Sequence, residues 1–121
     1  MRDFKKLDVW KREHRLVLEV YRHTRTFPRE EQFGLTSQIR RASSSVPANI
    51  AEGCGRATQR EFAQYIQVSI GSPIELEYHL LLARDLDLLS GDQHQALDFE
   101  VSGVRKMLSG LLQEVRKAGS R

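Results

Sequence analysis

Apolar residues recur every three or four positions in four stretches of the chain, which is the period of an amphipathic α-helix. The period predicts helices over residues 7–27, 35–53, 59–89 and 92–117. Because the connections between these stretches are short, each helix is expected to run antiparallel to the next. The pattern therefore predicts an all-α fold, a single antiparallel up-down-up-down four-helix bundle over residues 1–121.

Two prolines lie inside the predicted helices, Pro47 in the second and Pro73 in the third. A proline within a helix removes one backbone hydrogen bond and collides with the carbonyl group four residues earlier, here that of Ser43 or Ser69. Since the apolar period continues across both prolines, we expect a kink at each of them. The alternative is that either stretch forms two shorter helices.

Capping residues indicate where two of the helices begin. Thr58 followed by Glu61 has the spacing of a capping box at the start of the third helix. Thr36 or Ser37 is expected to cap the start of the second helix with its hydroxyl group. Pro28 is expected to stop the first helix.

The composition is that of a globular protein with a mildly basic balance. Hydrophobic residues make up 40% of the chain and charged residues 29%, and the net charge is +3. Residues 1–30 carry a net charge of +4 and residues 58–90 a net charge of −3, so positive charge should concentrate on the first helix. The single cysteine, Cys54, excludes an intramolecular disulfide and favours the reducing cytoplasm. No run of about 18 apolar residues is present, so we expect no contact with a membrane.

A family resemblance rests on residues 38–56, QIRRASSSVPANIAEGCGR, together with VW at residues 9–10, EF at residues 61–62 and ELE at residues 75–77. With these motifs the chain resembles the 23S rRNA intervening-sequence (S23-type) family over residues 4–112. The resemblance implies a four-helix bundle that assembles as a homopentameric ring. Some members are encoded inside insertions in 23S rRNA genes. A related branch, the accessory proteins of diversity-generating retroelements, implies a nucleic-acid ligand and a reverse-transcriptase partner contacted through basic surface.

The apolar surface predicted for two helices exceeds what one bundle needs. The first helix has an apolar arc roughly 120° wide, and the third ends in leucines on nearly every side, at residues 80–82, 86, 88 and 89. This surplus favours a homo-oligomer; the alternative is that it covers the bundle's own flank.

Two residues depart from the family pattern. Glu13 stands within the apolar arc in place of a small residue, and Pro73 replaces an ordinary helix former.

One face of the first helix carries a row of basic residues, which we call the basic stripe: Lys11, Arg15, Arg22, Arg25 and Arg29. At 100° per residue they fall within about 40° of one line, and the row spans roughly 27 Å, the scale of several phosphates. We predict that the basic stripe contacts RNA or DNA. The alternative is a solvated face without a ligand. No aromatic residue is interleaved with the stripe, which argues against sequence-specific readout of single strands.

Charged residues of the second and third helices predict a structural ion-pair network. Its candidate members are Arg40, Arg41, Glu52, Arg56, Glu61 and Glu75. Glu52 lies on the same helix face as Arg41, and Arg56 follows Glu52 by four residues, a spacing that favours pairing. We expect the network to fix the bundle or a contact between subunits. The alternative is a polar cleft that binds a small anion.

The sequence contains no motif for catalysis, for a metal or for a cofactor. Di-iron bundles need a histidine three residues after a glutamate on two helices, and none of the four histidines has this spacing. Cys54 has no Cys or His neighbour and is expected to be a small packed side chain. We therefore predict no enzymatic activity, no metal and no cofactor. The predicted function is a non-enzymatic oligomeric scaffold for structured RNA or DNA; the alternative is a structural or protein-adaptor ring that binds no nucleic acid.

Overall fold

The computed structural model describes residues 2–119, and four long helices account for most of that range. They are α1 (Asp8–Thr24), α2 (Leu35–Cys54), α3 (Gln59–Asp85) and α4 (Gly91–Gly119). Short 3-10 helices at Phe4–Lys6 and Arg29–Glu31 precede α1 and α2. Each helix packs against the next, and α4 packs back against α1, which closes a four-helix bundle. The described residues contain no strand, so the predicted all-α fold is confirmed.

Neighbouring helices run antiparallel, as the contacts between α3 and α4 illustrate. Glu77 in the second half of α3 pairs with Arg105 of α4 at 2.7 Å. Gln67, ten residues earlier in α3, accepts a hydrogen bond from Arg116, eleven residues later in α4, at 2.9 Å. Earlier positions in α3 therefore contact later positions in α4, as expected for an antiparallel pair.

Small residues line the seam between α2 and α3. The hydroxyl group of Ser45 donates a hydrogen bond to that of Ser72 at 2.7 Å. Near the end of α2, a Cβ atom built on Gly53 would lie 2.8 Å from the Cβ atom of Tyr65 and 2.9 Å from a ring carbon of Phe62. The two helices therefore approach each other at Gly53 more closely than any side chain there would allow without a shift.

Both prolines lie inside helices that continue past them. Pro47 is within α2 and Pro73 within α3, and both residues are buried. The alternative of two shorter helices at either position is therefore wrong. A kink at each proline stays a prediction.

The end of α3 differs from the sequence prediction. The helix ends at Asp85 instead of residue 89, because Asp87 adopts a left-handed backbone conformation with φ 61°. The N–H group of Leu88 then bonds to the carbonyl of Ala83 at 2.8 Å, and that of Asp87 to the carbonyl of Arg84 at 2.9 Å. These two bonds form a Schellman motif, which is more often built around glycine than around aspartate.

One of the two predicted helix caps is confirmed and the other is wrong. The hydroxyl oxygen of Thr58 accepts a hydrogen bond from the N–H group of Glu61 at 3.1 Å and caps α3 as predicted. At the start of α2, neither Thr36 nor Ser37 caps the helix, because α2 already begins at Leu35. A carboxylate oxygen of Glu31 accepts from the Leu35 N–H group instead, at 3.1 Å.

The core contains apolar side chains from all four helices. α2 buries an apolar stripe along its length, and α4 contributes a matching stripe. These residues are Leu35, Ile39, Ala42, Val46 and Ile50 in α2 and Leu97, Val101, Val104, Leu108, Leu112 and Val115 in α4. Cys54 is buried as a free cysteine, and burial raises the pKa of its thiol. The thiol therefore stays protonated and packs as a small apolar group.

Glu13 is buried in this core, inside the apolar arc of α1 where the sequence placed it. Its side chain is 1% exposed, and one carboxylate oxygen has no hydrogen-bond partner among the described residues. Burial raises the pKa of Glu13 to about 8, because a low-dielectric interior disfavours the charged form. At neutral pH the carboxyl group is therefore mostly protonated, which lowers the cost of burying it.

A long polar side chain joins α1 to α4. The guanidinium group of Arg12 bonds both carboxylate oxygens of Glu100, at 3.0 and 3.3 Å. It lies directly over Gly103, where a Cβ atom would come within 2.2 Å of a guanidinium nitrogen. The absent side chain at Gly103 therefore leaves the space that Arg12 fills.

Candidate nucleic-acid interface

The outer face of α1 exposes the basic stripe, but the stripe is divided between two elements. Lys11, Arg15 and Arg22 lie within α1 and are exposed, and Arg25 is the residue that follows its last turn. Arg29 instead begins the 3-10 helix after Pro28. The prediction of one continuous helical line through Arg29 is therefore wrong, because α1 ends at Thr24 and a proline separates the two elements.

The members of the basic stripe differ in their partners. Arg22 forms an ion pair with Glu19, one turn earlier in α1, and His23 lies 3.8 Å from the same carboxylate. Lys11, Arg15 and Arg25 make no ion pair within the part of the chain that the structure describes, and neither does exposed Arg29, which lies beyond α1. These side chains are therefore more available to an external anion than Arg22, since an exposed pair such as Arg22–Glu19 already neutralises part of its charge.

A cation from α2 extends the interface. Arg40 reaches across to α1, where its Nε atom donates a hydrogen bond to the hydroxyl oxygen of Thr24 at 2.9 Å. Its guanidinium carbon lies 4.6 Å from the centre of the Tyr21 ring, a cation–π distance. Tyr21 is itself 40% exposed. Arg40 therefore belongs to the α1 surface.

Aromatic rings lie beside the basic stripe, which the sequence reasoning did not anticipate. The ring of exposed His14 stacks on that of half-buried Trp10, with centroids 5.1 Å apart and planes inclined by 10°. Phe4 packs against Trp10 in an edge-to-face arrangement, with ring centroids 4.9 Å apart. We call Trp10, His14 and Tyr21 the aromatic row. Their spacing of four and seven residues is the feature of the sequence that indicates this row, because side chains with such spacing lie on one helix face.

The six-residue ion-pair network does not form within the chain. Glu52 pairs with Arg56 at 2.7 Å, and Arg56 also donates to the hydroxyl oxygen of Tyr65. Arg41 instead donates to Gln38 at 3.2 Å. Eleven residues of helix separate Arg41 from Glu52 by about 16 Å, far beyond the reach of a single ion pair.

The other proposed members of the network have separate roles. Glu61 accepts a hydrogen bond from the hydroxyl group of its own capping residue, Thr58, at 3.1 Å. Glu75 is exposed on α3 and makes no ion pair among the described residues. With Arg40 on the α1 surface, only the Glu52–Arg56 pair remains of the predicted within-chain network.

A second surface, on α3, is apolar. Val68, Ile74, Tyr78 and Leu81 are all exposed, Val68 to 64% and Tyr78 to 59%. At 100° per residue Ile74, Tyr78 and Leu81 fall within about 60° of each other on the helix circumference. An exposed apolar strip of this kind is typical of a surface that another protein covers.

The described residues form several grooves on the surface of the bundle. A groove of about 590 Å³ runs between the start of α3 and the end of α4, lined by Gln, Arg, Ala, Val and Gly residues. Within residues 2–119 no three His, Cys, Asp or Glu side chains are grouped to hold a metal ion. None of the helices in this range is both long and apolar enough to cross a membrane.

Comparison with known proteins identifies relatives of the chain. The family model described as 23S rRNA-intervening sequence protein matches residues 5–110. Among solved structures, the chain is similar to a protein with unknown function from the S23 ribosomal protein family of Bacteroides thetaiotaomicron. The two chains are 18% identical with a TM-score of 0.79, and the match covers 87% of this chain and 95% of that one. No curated protein matches significantly.

Proposed function

We propose that this chain, which belongs to the 23S rRNA-intervening sequence protein family, is a non-enzymatic scaffold that binds RNA or DNA through the outer face of α1. The observation that carries the proposal is a set of exposed cations on that face, Lys11, Arg15 and Arg25, which form no ion pair among the described residues and are joined by Arg40 from α2. Proteins contact nucleic acids largely through phosphates, and Lys and Arg side chains that neutralise phosphates supply the salt-dependent part of the affinity.

The proposal includes assembly into a homo-oligomer, for which the resemblance implies a pentamer. The support is the exposed apolar strip of α3, because burying such side chains against another copy would remove them from water. A ring would present several copies of the basic stripe to one nucleic acid and raise the overall affinity through multivalency. A reverse-transcriptase partner stays a prediction from the resemblance, and the free, buried Cys54 is compatible with the reducing cytoplasm.

Assembly is tested by measuring mass in solution. Ile74→Asp with Tyr78→Asp should reduce the mass of the purified protein toward that of one chain, because charged groups would have to be buried in the interface. Phe99→Asp changes an exposed aromatic residue on α4 beside Arg12 and should leave the mass unchanged. A single-chain mass for the unmodified protein would remove the oligomer from the proposal.

Nucleic-acid binding is tested by a salt series. A stripe variant carries Lys11→Gln, Arg15→Gln and Arg25→Gln. For a fluorescently labelled hairpin RNA, the slope of log affinity against log salt should decrease by about 2 to 3, since three phosphate contacts are removed. A control variant loses the same three charges elsewhere, through Arg60→Gln, Lys106→Gln and Arg116→Gln, all at exposed positions.

The control separates a local contact from the effect of net charge, because both variants have the same net charge. Binding by the control variant should stay close to that of the unmodified protein. If neither RNA nor DNA binds at low salt, or if both variants lose affinity equally, the α1 proposal fails. The protein-adaptor ring would then be the remaining function.

A further inference from the structure

We infer that the nucleic acid bound by α1 is single-stranded where it meets the helix, with unpaired bases stacked on the aromatic row and phosphates on the basic stripe. The inference rests on the proposed function and names its ligand class. The observation behind it is the stacked His14–Trp10 pair and the exposed Tyr21 ring on the same helix as the available cations.

The two rows run side by side along α1. The aromatic row and the basic stripe are separated by roughly 80° around the helix axis, so neighbouring members of the two rows adjoin on the surface. Lys11 stands three residues before His14, and Arg25 stands four residues after Tyr21, both spacings at which helical side chains adjoin. One strand can therefore place its backbone on one row and its bases on the other.

Each ring in the aromatic row is supported from behind or from the side. His14 has Trp10 on one ring face, and Trp10 in turn packs against Phe4. Tyr21 has the guanidinium group of Arg40 at 4.6 Å. A supported ring loses less freedom when a base stacks on it, because the ring is already ordered.

Base stacking on the aromatic row excludes a regular duplex as its ligand. In a duplex the base faces are covered by their neighbours and must be unstacked before a protein ring can reach them. Unpaired bases present free faces. His14 and Tyr21 are seven residues apart, about 10 Å along the helix, so they would receive two separate bases of one strand. Stacking platforms beside a cationic row are the usual features of single-strand binding sites.

The chain supplies its own probe for this stacking, because Trp10 is the only tryptophan. We expect an unstructured 20-nucleotide oligouridylate to quench Trp10 fluorescence saturably, with an affinity that falls as salt is added. A mixed-sequence duplex of the same length should bind more weakly and quench less. Fluorescence anisotropy of labelled oligonucleotides measures binding separately from quenching.

Variants of the aromatic row test the contact without altering the basic stripe. His14→Ala and Tyr21→Ala should each weaken oligouridylate binding about tenfold, the typical loss of one base–aromatic stack. His14→Phe keeps a ring and should retain binding and quenching. His94→Ala and Phe99→Ala, which remove rings from α4, should bind like the unmodified protein.

The outcomes distinguish this inference from the proposed function. If the stripe variant loses affinity but His14→Ala and Tyr21→Ala bind normally, or if the duplex binds as tightly as the single strand, the stacking inference is overturned and α1 remains a phosphate-binding face. If anisotropy detects no binding of either oligonucleotide at low salt, both the inference and the proposed function fail. Normal circular dichroism and unchanged mass in solution are required of every variant.

Discussion

Helix α1 and the α2–α3 pair are held in the bundle by different means. α2 and α3 meet through small residues, with Gly53 against Phe62 and the Ser45–Ser72 hydrogen bond, and their seam is more extensive than either seam of α1. α1 contributes Val9, Leu16 and Val20 to the shared apolar core, and a long side chain, Arg12, also joins it to α4.

The two regions therefore differ in how readily their contacts can change. The α2–α3 seam depends on backbone proximity, which tolerates almost no added atom. Beside its apolar core residues, α1 also places a flexible side chain, Arg12, and a titratable one, Glu13, in its contacts with the bundle, and such side chains can adjust. We therefore expect a change of pH to alter the packing of α1 more easily than that of α2 and α3. α1 is also the helix that exposes the proposed binding face.

The largest effect concerns pH and Glu13. The folded protein holds the pKa of Glu13 at about 8, whereas its ordinary value is 4.5. Between these values the unfolded chain has lost the proton and the folded chain has kept it, so the free energy of unfolding should fall as pH rises, by about 5 kcal/mol in total. The loss should end above pH 8, where both states are ionised.

Urea unfolding at pH 5, 6.5 and 8 measures this dependence. Glu13→Gln removes the titrating group and keeps the shape of the side chain, so most of the fall with pH should disappear. If the free energy of unfolding of the Gln variant falls equally steeply as pH rises, other groups cause the pH dependence. Glu13 would then not be the residue that makes the packing of α1 sensitive to pH.

The second effect concerns Gly53 in the α2–α3 seam. Gly53→Ala places a Cβ atom within 3 Å of two side-chain atoms near the α3 backbone, and we expect a loss of about 2 kcal/mol in the free energy of unfolding. Gly110→Ala, in α4, is the matched control, because a Cβ atom there meets nothing within 4 Å. The control should gain up to about 1 kcal/mol from helix propensity. Equal results for the two alanines would contradict the tight seam.

The third effect is smaller and concerns Gly103 in the α1–α4 seam. A Cβ atom at Gly103 would come even closer to its neighbour, but that neighbour is the guanidinium group of Arg12, which can swing away. The lost contact with Glu100 is partly exposed and worth at most about 1 kcal/mol, and helix propensity offsets it. Gly103→Ala should therefore stay within about 1 kcal/mol of the unmodified protein in thermal or urea unfolding. A loss as large as that of Gly53→Ala would mean that Arg12 is rigidly packed.

The smallest effect concerns the remaining ion pair. A double-mutant cycle on Glu52 and Arg56, with alanine at each position, should give a coupling energy of about 0.5 kcal/mol, typical of a pair four residues apart on a helix. The same cycle on Arg41 and Glu52 should give coupling near zero, because the two side chains are three turns apart. Coupling above 0.5 kcal/mol for Arg41 and Glu52 would restore the predicted network, through a contact with another subunit.

The helical period was sufficient to predict the fold and most of the core. α2 is an example, because its apolar residues from Leu35 to Ile50 recur every three or four positions, form one helix face, and are buried on that face. The end of α3 could not be predicted, since Asp87 occupies the left-handed position that glycine usually marks. Local backbone conformation at a non-glycine residue depends on the whole turn, not on its sequence alone.

The candidate interface was only partly predictable. The exposure of Lys11 and Arg15 follows from their place opposite the core. The role of Arg40 does not, because its partners Thr24 and Tyr21 lie on another helix. The ion-pair network does not form within the chain, because the helical wheel that placed Arg41 and Glu52 on one face compares angles and ignores the distance along the helix axis. The stacking of His14 on Trp10 depends on side-chain rotamers, which the sequence does not specify.

The most direct test of the account is to locate the bound nucleic acid on the protein surface. Ultraviolet cross-linking to a 4-thiouridine-substituted RNA, followed by mass spectrometry of the peptides, reports which helix is touched. We predict cross-links concentrated within residues 8–25, on α1, and lost in the stripe variant. Cross-links concentrated on the groove between the start of α3 and the end of α4, with none on α1, would contradict the assignment of α1 as the binding face.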